Sequence, residues 1–220
     1  MSTRKGTRKG KAGSGVGDAS REFGANAAVG SLGERQFADI LDRAGLTGDG
    51  GYDAWYSVKV PNKDGSKGKT DVDLVLSSGN RVVLIDVKRW ASSTWKTSSS
   101  GKKVKAPVTY WSIPFFNLPM KGLSPLKNGN GDWRLSRSME MATDRFAPLF
   151  GNARVLSIVV FVPTTKDGRG PANVSFLRWP GNIKSYSAQD SLRVIQKFLG
   201  EPKTTNSRIS SALSRMVYQK

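Results

Sequence analysis

The sequence contains neither cysteine nor histidine, and these two absences limit the chemistry available to it. Without cysteine there is no disulfide bond, no thiolate nucleophile and no Cys-ligated zinc site. Without histidine the chain lacks the commonest general base and the usual partner of a catalytic serine. Any catalysis must therefore use Asp, Glu, Lys or Tyr, or a metal ion held by oxygen ligands.

Long apolar runs and acidic residues are also scarce. No stretch approaches the roughly 18 apolar residues of a membrane span, so we expect a cytoplasmic protein that does not cross a membrane. Only 17 acidic residues stand against 35 Lys and Arg, which gives the 220 residues a formal charge of +18. Such a field attracts nucleic acid, and a basic solubilising or membrane-surface protein is the alternative.

The first 17 residues carry five basic side chains, no acid and no large apolar group. A segment of this composition cannot bury enough surface to order itself. We therefore predict a disordered basic arm over residues 1–20, which either follows a phosphate backbone or is simply solvated.

Alternating and helical patterns in the rest of the chain predict an α/β domain over residues 21–180 and a helical C-terminal extension over 181–220. A helix begins near Ser31 and ends at Gly45, with one apolar stripe formed by Leu32, Phe37, Ile40, Leu41 and Ala44. Strand patterns occupy residues 54–60, 70–76, 81–88, 154–162 and 174–178, and further helices are predicted over 136–150, 188–199 and 205–218. A four-residue loop joins 70–76 to 81–88, which favours a hairpin.

Residues 88–131 contain eight basic residues and no acid, with aromatic residues placed between them. We predict a long basic aromatic loop over residues 89–131. Its charges suit phosphates and its rings suit bases, although the rings could equally pin the loop to the domain. The basic C-terminal helices either pack on the core or form a second DNA contact.

Asp86 and Lys88 lie on the same side of the 81–88 strand, because side chains alternate along a strand. Asp71 and Asp73 share one side of the preceding strand, so the hairpin brings an aspartate close to Asp86. Buried acids are costly unless they are paired or bind a metal, and oxygen ligands favour Mg²⁺ with Mn²⁺ as the alternative.

Beside such an ion, Lys88 would orient the attacking water or stabilise charge that develops on a phosphate, and Glu34 could add a ligand. This arrangement would hydrolyse a phosphodiester without histidine or a covalent nucleophile. The alternative is an ordinary ion pair between Asp86 and Lys88, worth under about 1 kcal/mol.

The series Gly33-Glu34, Asp73 and Asp86-Val87-Lys88 resembles the PD-(D/E)XK nuclease superfamily in its nuclease-related (NERD-like) branch. The resemblance covers residues 30–163. It implies a restriction-endonuclease-like fold, in which an αβββαβ core places a mixed central sheet between flanking helices.

The same resemblance implies that Glu34, Asp73 and Asp86 hold the metal and that Lys88 is the catalytic lysine. Family spacing favours Asp73 over Asp71. The chain departs from the branch in having Asp at position 86, where Glu is commoner. It also lacks the Gln that related enzymes offer on the later helix, where Arg137 is expected as a substitute phosphate contact.

These observations predict a Mg²⁺-dependent endonuclease that acts on duplex or branched DNA, with a homodimer as one expected assembly, in a bacterial or phage-infected cell. The residues expected to contact nucleic acid are Arg89, Lys96, Lys102, Lys103, Lys105 and Arg137. The alternative is a non-catalytic nucleic-acid-binding protein on a nuclease fold, such as a phage packaging or virion component. A third interpretation is a basic structural protein whose interior ion pair is only stabilising.

Overall fold

A seven-stranded mixed sheet forms the centre of the structure, a computed structural model that describes residues 5–14, 25–89, 93–97, 110–114, 135–162 and 173–217. The strands are β1 (Arg8–Lys9), β2 (Asp53–Pro61), β3 (Lys67–Ser78), β4 (Arg81–Lys88), β5 (Ser93–Thr97), β6 (Tyr110–Pro114), β7 (Arg154–Phe161), β8 (Asn173–Phe176), β9 (Arg178–Trp179) and β10 (Ile183–Ser187). The helices are α1 (Ala25–Arg43), α2 (Ser138–Phe150), α3 (Ala188–Leu199) and α4 (Ser207–Met216), and a 3₁₀ turn spans Pro180–Asn182. None of the helices in these ranges is long and apolar enough to cross a membrane.

The large sheet has the order β1-β2-β3-β4-β7-β10-β9. Strands β2, β3 and β4 form an antiparallel meander, and the predicted hairpin between β3 and β4 is confirmed. Strand β7 then pairs parallel to β4, and β10 pairs parallel to β7. The order α1-β2-β3-β4-α2-β7 confirms the expected αβββαβ core.

The two faces of this sheet are covered by different helices, so the protein has two apolar cores. Helices α1 and α3 cover one face, through Phe37, Leu41, Ile195 and Leu199. Helices α2 and α4 cover the other, through Met139, Phe146, Ile209 and Leu213. Strand β4 supplies Val82 and Leu84 to the α2 side and Val83, Ile85 and Val87 to the α1 side, as the period of a strand requires.

Helix α1 presents a different stripe from the predicted one. Leu32 is 44% exposed, whereas Phe37 and Leu41 are fully buried. Counting back from these two residues by helical steps of three and seven reaches Glu34. The sequence prediction was therefore wrong for Leu32 and for Ala44, which is exposed beyond the end of α1. Glu34 lies on the face of α1 that the helix turns toward the sheet.

The expectation of a disordered arm is wrong for residues 5–14. Arg8 and Lys9 form β1, which pairs parallel to the edge strand β2 at Ala54 and Trp55. The backbone amide of Thr7 donates to Asp53 at 2.7 Å, and the amide of Ala54 donates to the carbonyl of Thr7 at 2.8 Å. Main-chain bonds thus order a segment that has too little apolar surface to order itself. The remaining residues of the predicted arm lie outside the described residues.

The predicted irregular loop over residues 89–131 contains two strands, β5 and β6, which pair antiparallel in a second sheet with β8. Strand pairing replaces the irregular structure expected there, and the rest of that segment lies outside the described residues. The C-terminal residues are likewise no appendage. Strand β10 lies inside the large sheet, and α3 and α4 each complete one of its cores, so charged residues on these helices occupy their outer faces.

Candidate active site

The pairing of β3 with β4 ends at the Leu74–Ile85 pair, and the candidate site begins there. Beyond this pair, the side chain of Asp73 takes the place of a backbone hydrogen bond between the two strands. Its Oδ2 accepts a hydrogen bond of 2.6 Å from the backbone amide of Val87. Asp73 is therefore fixed to the neighbouring strand by its own carboxylate.

The alternation of β2 and β3 is interrupted at the same level. Tyr56 pairs with Leu74 on the α1 side, whereas Val58 pairs with Val72 on the α2 side. Between these pairs lies Ser57, which has a positive φ of 50° that is unusual for a residue with a side chain. Asp73 thus occupies the point where both strands change faces, at the boundary of the two cores.

Asp86 and Lys88 form an ion pair on β4, with 2.8 Å between Lys88 Nζ and Asp86 Oδ1. Their side chains are 16% and 31% exposed, so the pair is recessed but reachable from solvent. Burial lowers the pKa of Lys88, but the carboxylates of Asp86 and Asp73 outweigh burial and the net direction is upward. Lys88 is therefore held in its protonated form and can donate but not accept a proton.

Glu34 reaches this group from α1, and Gly33 allows the helix to come close. A Cβ at Gly33 would lie 3.2 Å from Cβ of Arg89 and 3.4 Å from a methyl group of Val162, so a larger residue would push α1 away from the ends of β4 and β7. The Oε2 atom of Glu34 accepts a hydrogen bond of 2.9 Å from the backbone amide of Gly13. The N-terminal segment therefore contacts a candidate catalytic residue directly.

Two of these carboxyl groups are strongly perturbed. Burial, helped by the charges of Asp71 and Asp86, raises the pKa of Glu34 to about 7, against the lowering effect of the Gly13 hydrogen bond. Burial, followed by repulsion from Asp86 and Glu34, raises the pKa of Asp73 well above its usual range. Burial is thus the main cause of both shifts, and the neighbouring carboxylates add to it.

Asp71, the predicted rival of Asp73, also belongs to this group. It lies 3.7 Å from the ammonium group of Lys59, whose side chain is only 10% exposed on β2. Sequence reasoning missed Lys59, since a lysine within a strand gives no signal of burial, and it also missed the role of Gly13. The register of β2 against β3 pairs Lys59 with Asp71, and knowledge of this register would have identified Lys59.

A cleft of about 300 Å³ opens above these residues on the α2 side of the sheet. Its walls include Asp71, Asp73, Asp86 and Lys88. The opposite wall comes from Ser136, Ser138, Met139 and Trp179. Glu34 is not part of the lining and lies behind it, within electrostatic reach of Asp86 and Lys88. In the part of the chain that the structure describes, no three acidic side chains are grouped closely enough to hold a metal ion as they now stand.

The other predicted contact residues have separate locations. Arg137 forms an exposed ion pair of 2.6 Å with Glu140 near the start of α2. Arg89 is half-buried against Gly33, and Lys96 lies in β5. Lys102, Lys103 and Lys105 lie outside the described residues.

The comparisons with known proteins add a family assignment to this geometry. The family model described as nuclease-related domain matches residues 29–162, which include most of α1, the meander β2–β4, α2 and β7. No curated protein and no solved structure matches the chain. The match covers more than half of the sequence and every residue of the candidate site except Gly13 and Trp179. The chain therefore belongs to the nuclease-related domain family.

Proposed function

We propose that this protein is a divalent-metal-dependent nuclease that hydrolyses phosphodiester bonds in DNA, with its active site at Glu34, Asp73, Asp86 and Lys88. One observation carries the proposal. Among the residues that the structure describes, four carboxylates, those of Glu34, Asp71, Asp73 and Asp86, are grouped with two lysine ammonium groups, those of Lys59 and Lys88. In a chain with a formal charge of +18, this local excess of negative charge requires a reason.

The chemistry of these donors suits a hard divalent cation, whose binding would draw the acids closer together than they now stand. Carboxylate oxygens are the ligands that Mg²⁺ and Mn²⁺ prefer, and the six ionised groups would carry two more negative than positive charges. Repulsion between these carboxylates also adds to the upward shifts of the pKa values of Glu34 and Asp73, of which burial is the main cause. Asp73, Asp86 and Glu34 would hold the ion. Asp71 would not be a ligand, because it forms an ion pair with Lys59.

When bound, such an ion polarises a phosphoryl oxygen and lowers the pKa of a water molecule. Lys88 remains protonated beside Asp86, so it donates hydrogen bonds to the attacking water or to charge developing on the phosphate. Asp86 orients that ammonium group, and the amide of Val87 fixes Asp73. The cleft between β3 and α2 provides the space for the scissile phosphate.

The test is cleavage of plasmid DNA in Mg²⁺ by Lys88→Met and Asp86→Asn. We expect each variant to lose at least about 100-fold in cleavage rate, the usual effect of removing a group that acts on a proton or a developing charge. DNA binding measured in EDTA should persist in both. Lys197→Met and Asp39→Asn, on exposed positions of α3 and α1, are the matched controls and should cleave as the native protein does.

A second candidate function is DNA binding without catalysis. It is favoured by the internal partners that the three candidate ligands already have, namely Gly13 for Glu34, Val87 for Asp73 and Lys88 for Asp86. Calorimetric titration with Mn²⁺ separates the two functions. Binding that is lost in Asp86→Asn supports the nuclease, whereas the absence of binding in the native protein supports the non-catalytic function.

A further inference from the structure

Two arginines stand side by side at the opposite end of the sheet from the cleft. Arg81 begins β4 and Arg154 begins β7, and the parallel register of these strands pairs them directly. Like charges on neighbouring strands repel each other, so the arrangement needs compensation. Arg81 lies five positions before Asp86 on β4, which is about 17 Å along the strand, so this pair is separate from the candidate active site.

Both arginines are held in place by the same residue of α3. Arg81 Nη1 donates a hydrogen bond of 2.9 Å to the carbonyl oxygen of Phe198. The guanidinium of Arg154 lies over the Phe198 ring, 5.6 Å from its centre. An aromatic face attracts a cation without neutralising it, and a single carbonyl leaves most of the five donors of an arginine available.

These two residues line a pocket of about 480 Å³, which also contains Lys203 and the amide side chains of Asn80 and Asn152. Glu201 is the acid of the lining, but neither it nor another carboxylate of the described residues forms an ion pair with Arg81, Arg154 or Lys203. Three cations, two neutral donors and one acid therefore line one cavity, which leaves a net positive charge there.

The backbone around the pocket is rigidly connected. Ser78 Oγ donates to the carbonyl of Glu201 at 2.7 Å and accepts from the amide of Lys203 at 3.0 Å. The amide of Asn206 donates to the carbonyl of Gly79 at 2.9 Å. These bonds fix the segment after α3 to the hairpin between β3 and β4, so the backbone that carries Lys203 is in place before a ligand arrives.

We propose that this pocket is a second binding site and that its ligand is a phosphate group. The planar guanidinium group of arginine can donate two parallel hydrogen bonds to phosphate oxygens, and a lysine adds a compact positive charge. Together they suit a phosphate monoester or a phosphodiester. The phosphate belongs either to the backbone of a nucleic acid or to a small phosphate compound. The assignment of the phosphate to a nucleic acid rests on the proposed function, whereas the proposal that the pocket binds phosphate does not.

The test variant is Arg154→Gln combined with Lys203→Gln, which keeps the hydrogen bond of Arg81 to α3. Its matched control is Arg193→Gln combined with Lys197→Gln on the exposed side of α3, which removes the same charge. Urea denaturation verifies that both fold. Binding of a short DNA duplex is measured in EDTA over a range of salt concentrations, so that cleavage plays no part and a failure of the nuclease proposal leaves this result unchanged.

We expect the pocket variant to bind the duplex roughly tenfold more weakly. Its affinity should also depend less on salt: the slope of log affinity against log salt should become shallower by about two, one for each lost phosphate contact. The control should change neither by as much. Inorganic phosphate, followed through the arginine side-chain NMR signals, should shift Arg81 and Arg154 in the native protein. A response to phosphate with unchanged duplex binding assigns the pocket to a small phosphate compound. The proposal is overturned if the pocket variant equals the control for the duplex and phosphate moves neither arginine.

Discussion

The carboxylate of Asp73 accepts a hydrogen bond of 2.6 Å from the backbone amide of Val87, where the pairing of β3 with β4 stops. The residue thus replaces one rung of the sheet and also presents its charge to the cleft. Any substitution of Asp73 therefore affects two properties, the stability of the strand pair and the charge of the site. The two effects can be separated by the choice of the replacing residue.

Asp73→Asn retains an oxygen that accepts from Val87, whereas Asp73→Ala does not. We expect Asp73→Ala to unfold with a free energy about 1–3 kcal/mol lower than that of Asp73→Asn, because it leaves a buried amide unsatisfied. Both variants should lose cleavage. Urea denaturation in EDTA measures the first effect and plasmid nicking the second. Equal stabilities would contradict the structural role of the hydrogen bond.

Glu34 should make stability depend on pH. Its pKa is about 7 in the folded chain, through burial and the charges of Asp71 and Asp86, against 4.5 for an unperturbed group. The folded state therefore binds the proton more tightly, and stability is lost as pH rises from the lower to the higher value. We expect Glu34→Gln to gain on the order of 1–3 kcal/mol over the native protein above that window and little below it.

Denaturation of the native protein and of Glu34→Gln across this pH range, in EDTA, measures the difference. Asp39→Asn is the control, because Asp39 is exposed on the same helix. If the difference in unfolding free energy between Glu34→Gln and the native protein does not vary with pH, Glu34 does not have a raised pKa in the folded chain.

A divalent ion should stabilise the fold by relieving the repulsion between the carboxylates of Glu34, Asp73 and Asp86. At a free Mn²⁺ concentration of one hundred times Kd, linkage gives a stabilisation of about 2.7 kcal/mol. We expect this shift in the native protein and in Asp39→Asn, and its loss in Asp86→Asn. Thermal unfolding with and without Mn²⁺ provides the measurement, and an equal shift in Asp86→Asn would place the ion elsewhere.

Gly13 should be needed for the position of Glu34. It has a φ of +77°, and a Cβ at this position would lie 2.5 Å from Ser31 Oγ. Gly45 has a similar φ of +68° with open space around it, so Gly45→Ala is a matched control for backbone strain. Both alanine variants should lose about 1–2 kcal/mol of stability through the left-handed backbone.

Only Gly13→Ala should also displace the amide that Glu34 accepts from. We therefore expect weaker Mn²⁺ binding and slower cleavage in Gly13→Ala and neither change in Gly45→Ala. If the two variants behave alike, the N-terminal segment does not act on the site.

The core of the fold could be predicted from the sequence because its signals are local. Alternation in β4, the short loop before it and the apolar spacing of α2 and α3 each identify an element without knowledge of its neighbours. The same local pattern placed Asp86 and Lys88 on one side of β4. The sequence offered Glu34 as a possible further ligand, and the family resemblance, not the apolar stripe, assigned it to the metal site.

The features that could not be predicted depend on partners distant in the sequence. Arg8 and Lys9 have no strand pattern of their own and become β1 only because β2 offers unpaired backbone groups. Ser57 takes a positive φ because both strands change faces at that level, which no single strand reveals. The pairing of Arg81 with Arg154 follows from a parallel register that periodicity leaves undetermined.

Strand β1 has a consequence for solubility. Strand β2 is buried along all nine of its residues, and without β1 it would be the outer strand of the sheet, with its backbone groups open to another chain. A two-residue strand of Arg and Lys pairs with the start of that edge at Ala54 and Trp55 and places charge on it, a common protection against edge-to-edge association. We therefore expect a protein shortened at its basic N-terminus to associate more readily with other chains through β2.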